Sequence, residues 1–179
     1  MVEFDLFAAL VAGAAATAVM SAMMTMAASA GMTDMPSMPL VTGSMIAGSR
    51  GMAMRIGSAM HYLMMGTIVF GLAYAALFTA FDDDSWWVGA LFGLAHGVIL
   101  GVVFMPMMPA VHPRMRHELV GVAVPGGRGT VAVDEAGEVQ LAAPGVLGMR
   151  WGGMTPVGML MGHVVYGLVA ALVYGAVAS

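Results

Sequence analysis

The chain contains no cysteine and no lysine, and only 9% of its residues are charged. Without cysteine there can be no disulfide, thiolate metal ligand or cysteine nucleophile. Arginine is the only long cation, and a formal net charge of −4 leaves no electrostatic footprint for nucleic acid. The zinc-binding spacings HExxH and HxH are absent. No serine, histidine and aspartate fall into a plausible triad, because Asp82, Asp83 and Asp84 are expected across a membrane from His61 and His112. The run Gly126-Gly127-Arg128-Gly129 lacks the Lys-Ser/Thr pair and the strand–loop–helix context of a phosphate cradle, so it reads as a turn. No catalytic residue is assigned, and the composition does not point to an enzyme.

What the chain does have is apolar length. Hydrophobic residues make up 60% of it. A bilayer core about 30 Å thick needs roughly 20 apolar residues in helical form. Four stretches meet that length, at about 6–28, 56–80, 86–108 and 154–178. Their continuous apolar character lacks the period-2 alternation of a barrel strand, so they predict helices. The expected fold is all-α, a single membrane domain over residues 1–179 built as a four-transmembrane-helix bundle. Its loops at 29–55 and 109–153 hold all six arginines: Arg50, Arg55, Arg114, Arg116, Arg128 and Arg150. The positive-inside rule makes those loops cytoplasmic and both termini external, with the inner membrane as the location. The first apolar stretch has neither the basic flank nor the small-residue cleavage site of a removable signal, so it is expected to remain as a helix.

Pro36 and Pro39 argue against a regular helix in the first loop. In the second, residues 130–141 alternate apolar and polar side chains around a turn and predict a β-hairpin. Trp86 and Trp87 follow the acidic turn at the place of an interfacial aromatic belt. Gly89, Gly93, Gly97 and Gly101 recur every four residues, which lets a neighbouring helix approach closely. Residues 65–72 (MGTIVFGL) resemble 161–168 (MGHVVYGL), a weak repeat of the kind found in duplicated transporter halves.

Chemistry-bearing residues gather on one side. All twenty-one internal methionines fall in or beside the half predicted to be cytoplasmic, with Met20, Met23, Met24 and Met26 crowding the end of the first helix. His61 is expected roughly 8 Å deep, and His96 and His163 roughly 18 and 14 Å deep, from the helical rise of about 1.5 Å per residue. Two imidazoles at similar depth on neighbouring helices are candidate axial ligands for haem b. Thioethers and imidazoles are also copper ligands. A soft-metal path would then use His61, Met60, Met64, Met105, Met108, His112 and Met159 on the cytoplasmic side. Against both stands a structural role, in which histidines hydrogen-bond between helices and methionines fill space. His112 and His117 are read as solvated loop residues unless a metal recruits them.

Several motifs together resemble a family of small four-helix prokaryotic membrane proteins of unknown function. They are Asp34-Met35-Pro36 with Met38-Pro39-Leu40, and Trp86-Trp87 leading to His96-Gly97. Pro106, Pro109 and His112-Pro113-Arg114-Met115 follow, then Thr155-Pro156 and His163 with Tyr166-Gly167. The resemblance implies an integral membrane protein and assigns no residue a role. The functional expectation is a membrane protein or complex subunit whose histidine- and methionine-lined inner cavity holds haem b or a soft metal. The alternatives are an accessory subunit with purely structural histidines, or a small-solute transporter. The bilayer is its first partner, with other membrane subunits or further copies of the chain as protein partners.

Overall fold

The structure is a computed structural model describing residues 1–178. Four of its helices are long and apolar enough to cross a membrane: α1 (Leu6–Ser29), α3 (Arg50–Phe81), α4 (Trp86–Val111) and α5 (Thr155–Ala178). A short α2 (Met38–Gly43) lies in the first loop. The expected all-helical fold is thus correct in its main elements, with a small four-stranded sheet added.

Two boundaries differ from the sequence reading. Helix α2 forms despite the prolines because Pro39 occupies its first turn, where a missing N–H costs nothing and a fixed φ suits the helix. Helix α3 begins at Arg50 and so carries Arg50 and Arg55 in its opening turns. Within α3, residues Ala59–Phe70 are π-helical, and in α4 Leu100–Phe104 are as well. The wider π turn is rare and collects at functional sites. The Thr67 hydroxyl donates to the Tyr62 carbonyl five residues back, across one such turn (2.8 Å).

The chain divides into two compact units. The first comprises residues 1–24, 62–97 and 160–178. Its core is Ala8, Ala9, Ala12 and Ala16 of α1 against Tyr74, Ala75 and Phe78 of α3 and Tyr166, Ala170, Ala171 and Tyr174 of α5. Small residues set the helix spacing. A Cβ at Gly13 would lie 2.7 Å from the Thr67 carbonyl oxygen, and Gly89 and Gly167 face each other backbone to backbone. Backbone approach this close gives dense van der Waals packing between the helices.

The second unit comprises residues 25–61 and 98–159. It contains the predicted hairpin, with β3 (Val131–Val133) antiparallel to β4 (Val139–Ala142) and Val133 opposite Val139. The turn is fixed by Asp134, whose Oδ1 accepts from the backbone N–H groups of Ala136 and Glu138. Gly137 there has φ +79°, a conformation that glycine adopts without Cβ strain. Two-residue strands β1 (Met115–Arg116) and β2 (Val122–Ala123) complete the order β1-β4-β3-β2. Beneath the sheet Trp151 is fully buried, and its indole N–H donates to the Ala142 carbonyl (2.8 Å). Buried Thr33 and Thr155 share a 2.6 Å hydroxyl contact, and Thr155 also donates to the Trp151 carbonyl. Helices α2 and α3 meet through Gly43 and Gly57 with no side chain between their backbones.

Candidate functional site

In the first unit, the glycine stripe of α4 brings two histidines together. Gly93 lies under the backbone of His163, and a Cβ at Gly97 would stand 3.0 Å from the Cβ of His163. The His163 side chain is therefore laid over Gly97, next to His96. The two imidazoles meet edge to face, with ring centroids 4.7 Å apart. Phe70 of α3 also packs against His96, with ring centroids 4.2 Å apart. Tyr74, one helical turn further on, places its hydroxyl 3.3 Å from His96 Nδ1. Tyr166, one turn along α5 from His163, lies 5.2 Å from Tyr74 between ring centroids. Its hydroxyl donates to the Gly66 carbonyl (2.8 Å).

The remaining nitrogen of His96 is the unusual atom in this cluster. Nε2 is buried and has no hydrogen-bond partner. Buried polar atoms are rarely left so, because stripping one of water without a replacement costs about 1–3 kcal/mol. If Nδ1–H donates to Tyr74, Nε2 presents a lone pair. That is the arrangement in which a metal-binding imidazole is held by an outer partner.

Haem does not fit here. Two imidazoles on opposite faces of one iron, each with a metal–nitrogen bond of about 2 Å, place their ring centres about 6 Å apart with the porphyrin between them. His96 and His163 are closer than that and pack directly on each other. The glycines beside them are covered by His163 itself, leaving no slot for a macrocycle.

The residues expected to form a soft-metal path are placed differently from the reading. Met64 is exposed, and Met60, His61 and Met108 are half-buried. Met105 and Met159 are buried, but as packing. Met159 closes over Gly101, and the Met105 sulfur packs by Gly148 at the kinked turn after Gly145. Of the twenty-one internal methionines nine are exposed, nine half-buried and three buried. Among the described residues no group of three or more histidine or carboxylate side chains is arranged to hold a metal.

His112 is the clearest correction. Expected to be solvated, it is 3% exposed. Its Nε2 is 2.9 Å from the Val41 carbonyl, which accepts and so fixes the proton on that nitrogen. Nδ1 then accepts from the Arg114 backbone N–H (3.2 Å). Both nitrogens are committed to the protein, which removes His112 from any metal set. His117 is exposed, as expected.

Burial lowers the pKa of His112 below its ordinary value, hydrogen bonding of the imidazole to backbone carbonyls opposes this, and Arg114 and Arg116 lower it further. A histidine with a depressed folded pKa contributes stability that is complete above the unfolded value of about 6.5 and fades as pH falls below it. Protonation would turn Nδ1 into a donor facing the Arg114 N–H, a loss of about 1 kcal/mol or more. Amide protection at His112 and Arg114–Arg116 is therefore expected to fall between about pH 7 and pH 5. In His112→Gln, whose amide can still donate to Val41, that pH dependence should vanish. Identical profiles for the two proteins would show that His112 is not the titrating group.

Sequence reasoning found His96 and His163 but not Phe70, Tyr74 or Tyr166 as their surroundings. The signal was present in the spacing. Phe70 and Tyr74 are four apart, and His163 and Tyr166 three apart, which puts each pair on one helix face.

Comparison with protein-family models, curated proteins and solved structures returned no match for this chain. The resemblance to small four-helix membrane proteins rests on the motifs alone.

Proposed function

We propose that this is a non-enzymatic integral membrane protein, or a subunit of a membrane complex, that binds a soft monovalent metal ion, Cu(I), at the His96–His163 pair. The observation that carries the reading is the buried, unpartnered Nε2 of His96, beside a second imidazole and anchored at Nδ1 by Tyr74. The surrounding segments favour a singly charged ion. No aspartate, glutamate, lysine or arginine occurs at 6–29, 62–80, 86–111 or 156–178. A dication held by neutral ligands in that setting would be an uncompensated buried double charge, whereas Cu(I) suits imidazole and thioether donors. In the cell the reading places the protein in the inner membrane, with the arginine-bearing loops cytoplasmic and the termini outside.

Purified protein in detergent, titrated with Cu(I) against a competing chelator, tests this. Loss of one tightly bound Cu(I) on His96→Ala supports the reading, and an unchanged number and affinity of bound ions in that variant sinks it. A second reading draws on a shallow groove in the first unit, about 320 Å³, lined by Ala14, Thr17, Ala18, Tyr62, Leu63 and Thr67. Small residues there suit a neighbouring transmembrane helix, so an accessory subunit with a purely structural histidine cluster is the alternative. A protein that takes up no Cu(I) but co-purifies with a stoichiometric membrane partner would favour it.

A further inference from the structure

Gly162 differs from the other tightly packed glycines of the first unit. At Gly13, Gly66, Gly71, Gly89, Gly93 and Gly167 an added Cβ would run into a neighbour at less than 3 Å. At Gly162 it would meet only ordinary van der Waals contacts, and all three come from methionines of α1. They are Met20 Cγ at 3.4 Å, Met24 Sδ at 3.5 Å and Met23 Cε at 3.6 Å. Each of those atoms is a thioether sulfur or is bonded directly to one. The methionines are spaced i, i+3 and i+4, so they share one helix face. The result is a methyl-sized space floored by the backbone of α5 and roofed by three thioethers, with all three side chains half-buried.

We infer that Met20, Met23 and Met24 form a second soft-metal site, a three-sulfur seat for Cu(I) or Ag(I) over Gly162. Thioethers select soft monovalent ions, and the flexible methionine side chain can turn its sulfur inward with little rearrangement. Gly162 is what leaves room for the ion, because its missing Cβ is the space the ion takes. The site directly precedes His163 in sequence, but it stands on the methionine geometry and not on the histidine reading.

The same feature supplies a clean test. Gly162→Ala fills the space at ordinary contact distances, so the protein should fold while the seat is blocked. Ag(I), free of redox chemistry, is the probe, added to detergent-purified protein in chloride-free buffer and counted by native mass spectrometry. Wild type is expected to bind about two ions. Gly162→Ala and the triple variant Met20→Leu/Met23→Leu/Met24→Leu should each lose the same one, and His96→Ala the other. A wild type holding one ion that Gly162→Ala abolishes would support the thioether seat and overturn the histidine site. Stoichiometry and affinity unchanged by both Gly162→Ala and the triple variant would overturn the thioether seat, whatever His96→Ala does.

Discussion

Gly57→Ala is expected to destabilise the second unit by about 3 kcal/mol or more, while Gly51→Ala, in the same helix, should stabilise it by about 0.5–1 kcal/mol. The chemistry is identical and the sign opposite, because the two glycines meet different surroundings. A Cβ at Gly57 would be driven into the Pro39 carbonyl, with Gly43 N at 2.8 Å, and neither is a side chain that can turn away. Helices α2 and α3 would have to separate, breaking the contact of the Thr42 hydroxyl with the Gly57 carbonyl (3.3 Å). Gly51 has nothing within 4 Å of its added Cβ, so alanine there only lowers the entropy of the unfolded chain. Detergent unfolding curves read by the fluorescence of buried Trp151 would separate the pair. Equal stabilities would mean that the α2–α3 contact is looser than described.

In the Gly162→Ala background, His96→Ala should weaken Cu(I) binding by more than about 100-fold, because it removes a nitrogen of the proposed site, and His163→Ala should do likewise. Tyr74→Phe leaves both imidazoles in place but removes the hydroxyl at Nδ1, and a loss of about 10-fold is expected, within the usual range for an outer partner of a metal ligand. The graded order separates coordination from packing. If the cluster only packs helices, Tyr74→Phe, which keeps the ring, would not move Cu(I) affinity at all. Its effect would be confined to stability, near the about 1 kcal/mol of a single hydrogen bond.

The four helices long and apolar enough to cross a membrane were legible because continuous apolar length is a strong signal, and the hairpin because its alternation brackets an Asp-to-Gly turn. The two-residue strands β1 and β2 carry no pattern of their own, since they exist only as neighbours of β4 and β3. Pro39 misled because proline is hostile to a helix interior but welcome in the first turn, and a sequence does not say which turn it will occupy. His112 misled for a related reason. It follows the end of α4 in a polar-looking segment, and only the folded chain brings Val41 and Ser44 over it. At the candidate site, the four-residue glycine period marks where a neighbouring helix approaches, and His163 is the residue that lies over it. The period could not tell an open slot from one already filled, and the side chain of His163 over Gly97 is what excludes the porphyrin. The one-sided distribution of the methionines along the chain does not fix which way each side chain faces.

The most direct test is the copper K-edge absorption spectrum of the Gly162→Ala protein loaded with one equivalent of Cu(I), in which the thioether seat is blocked. The account predicts a first shell containing two imidazole nitrogens at about 2 Å, lost together with the bound copper when His96→Ala is added. A shell of sulfur alone, or a protein that retains no copper, would contradict it.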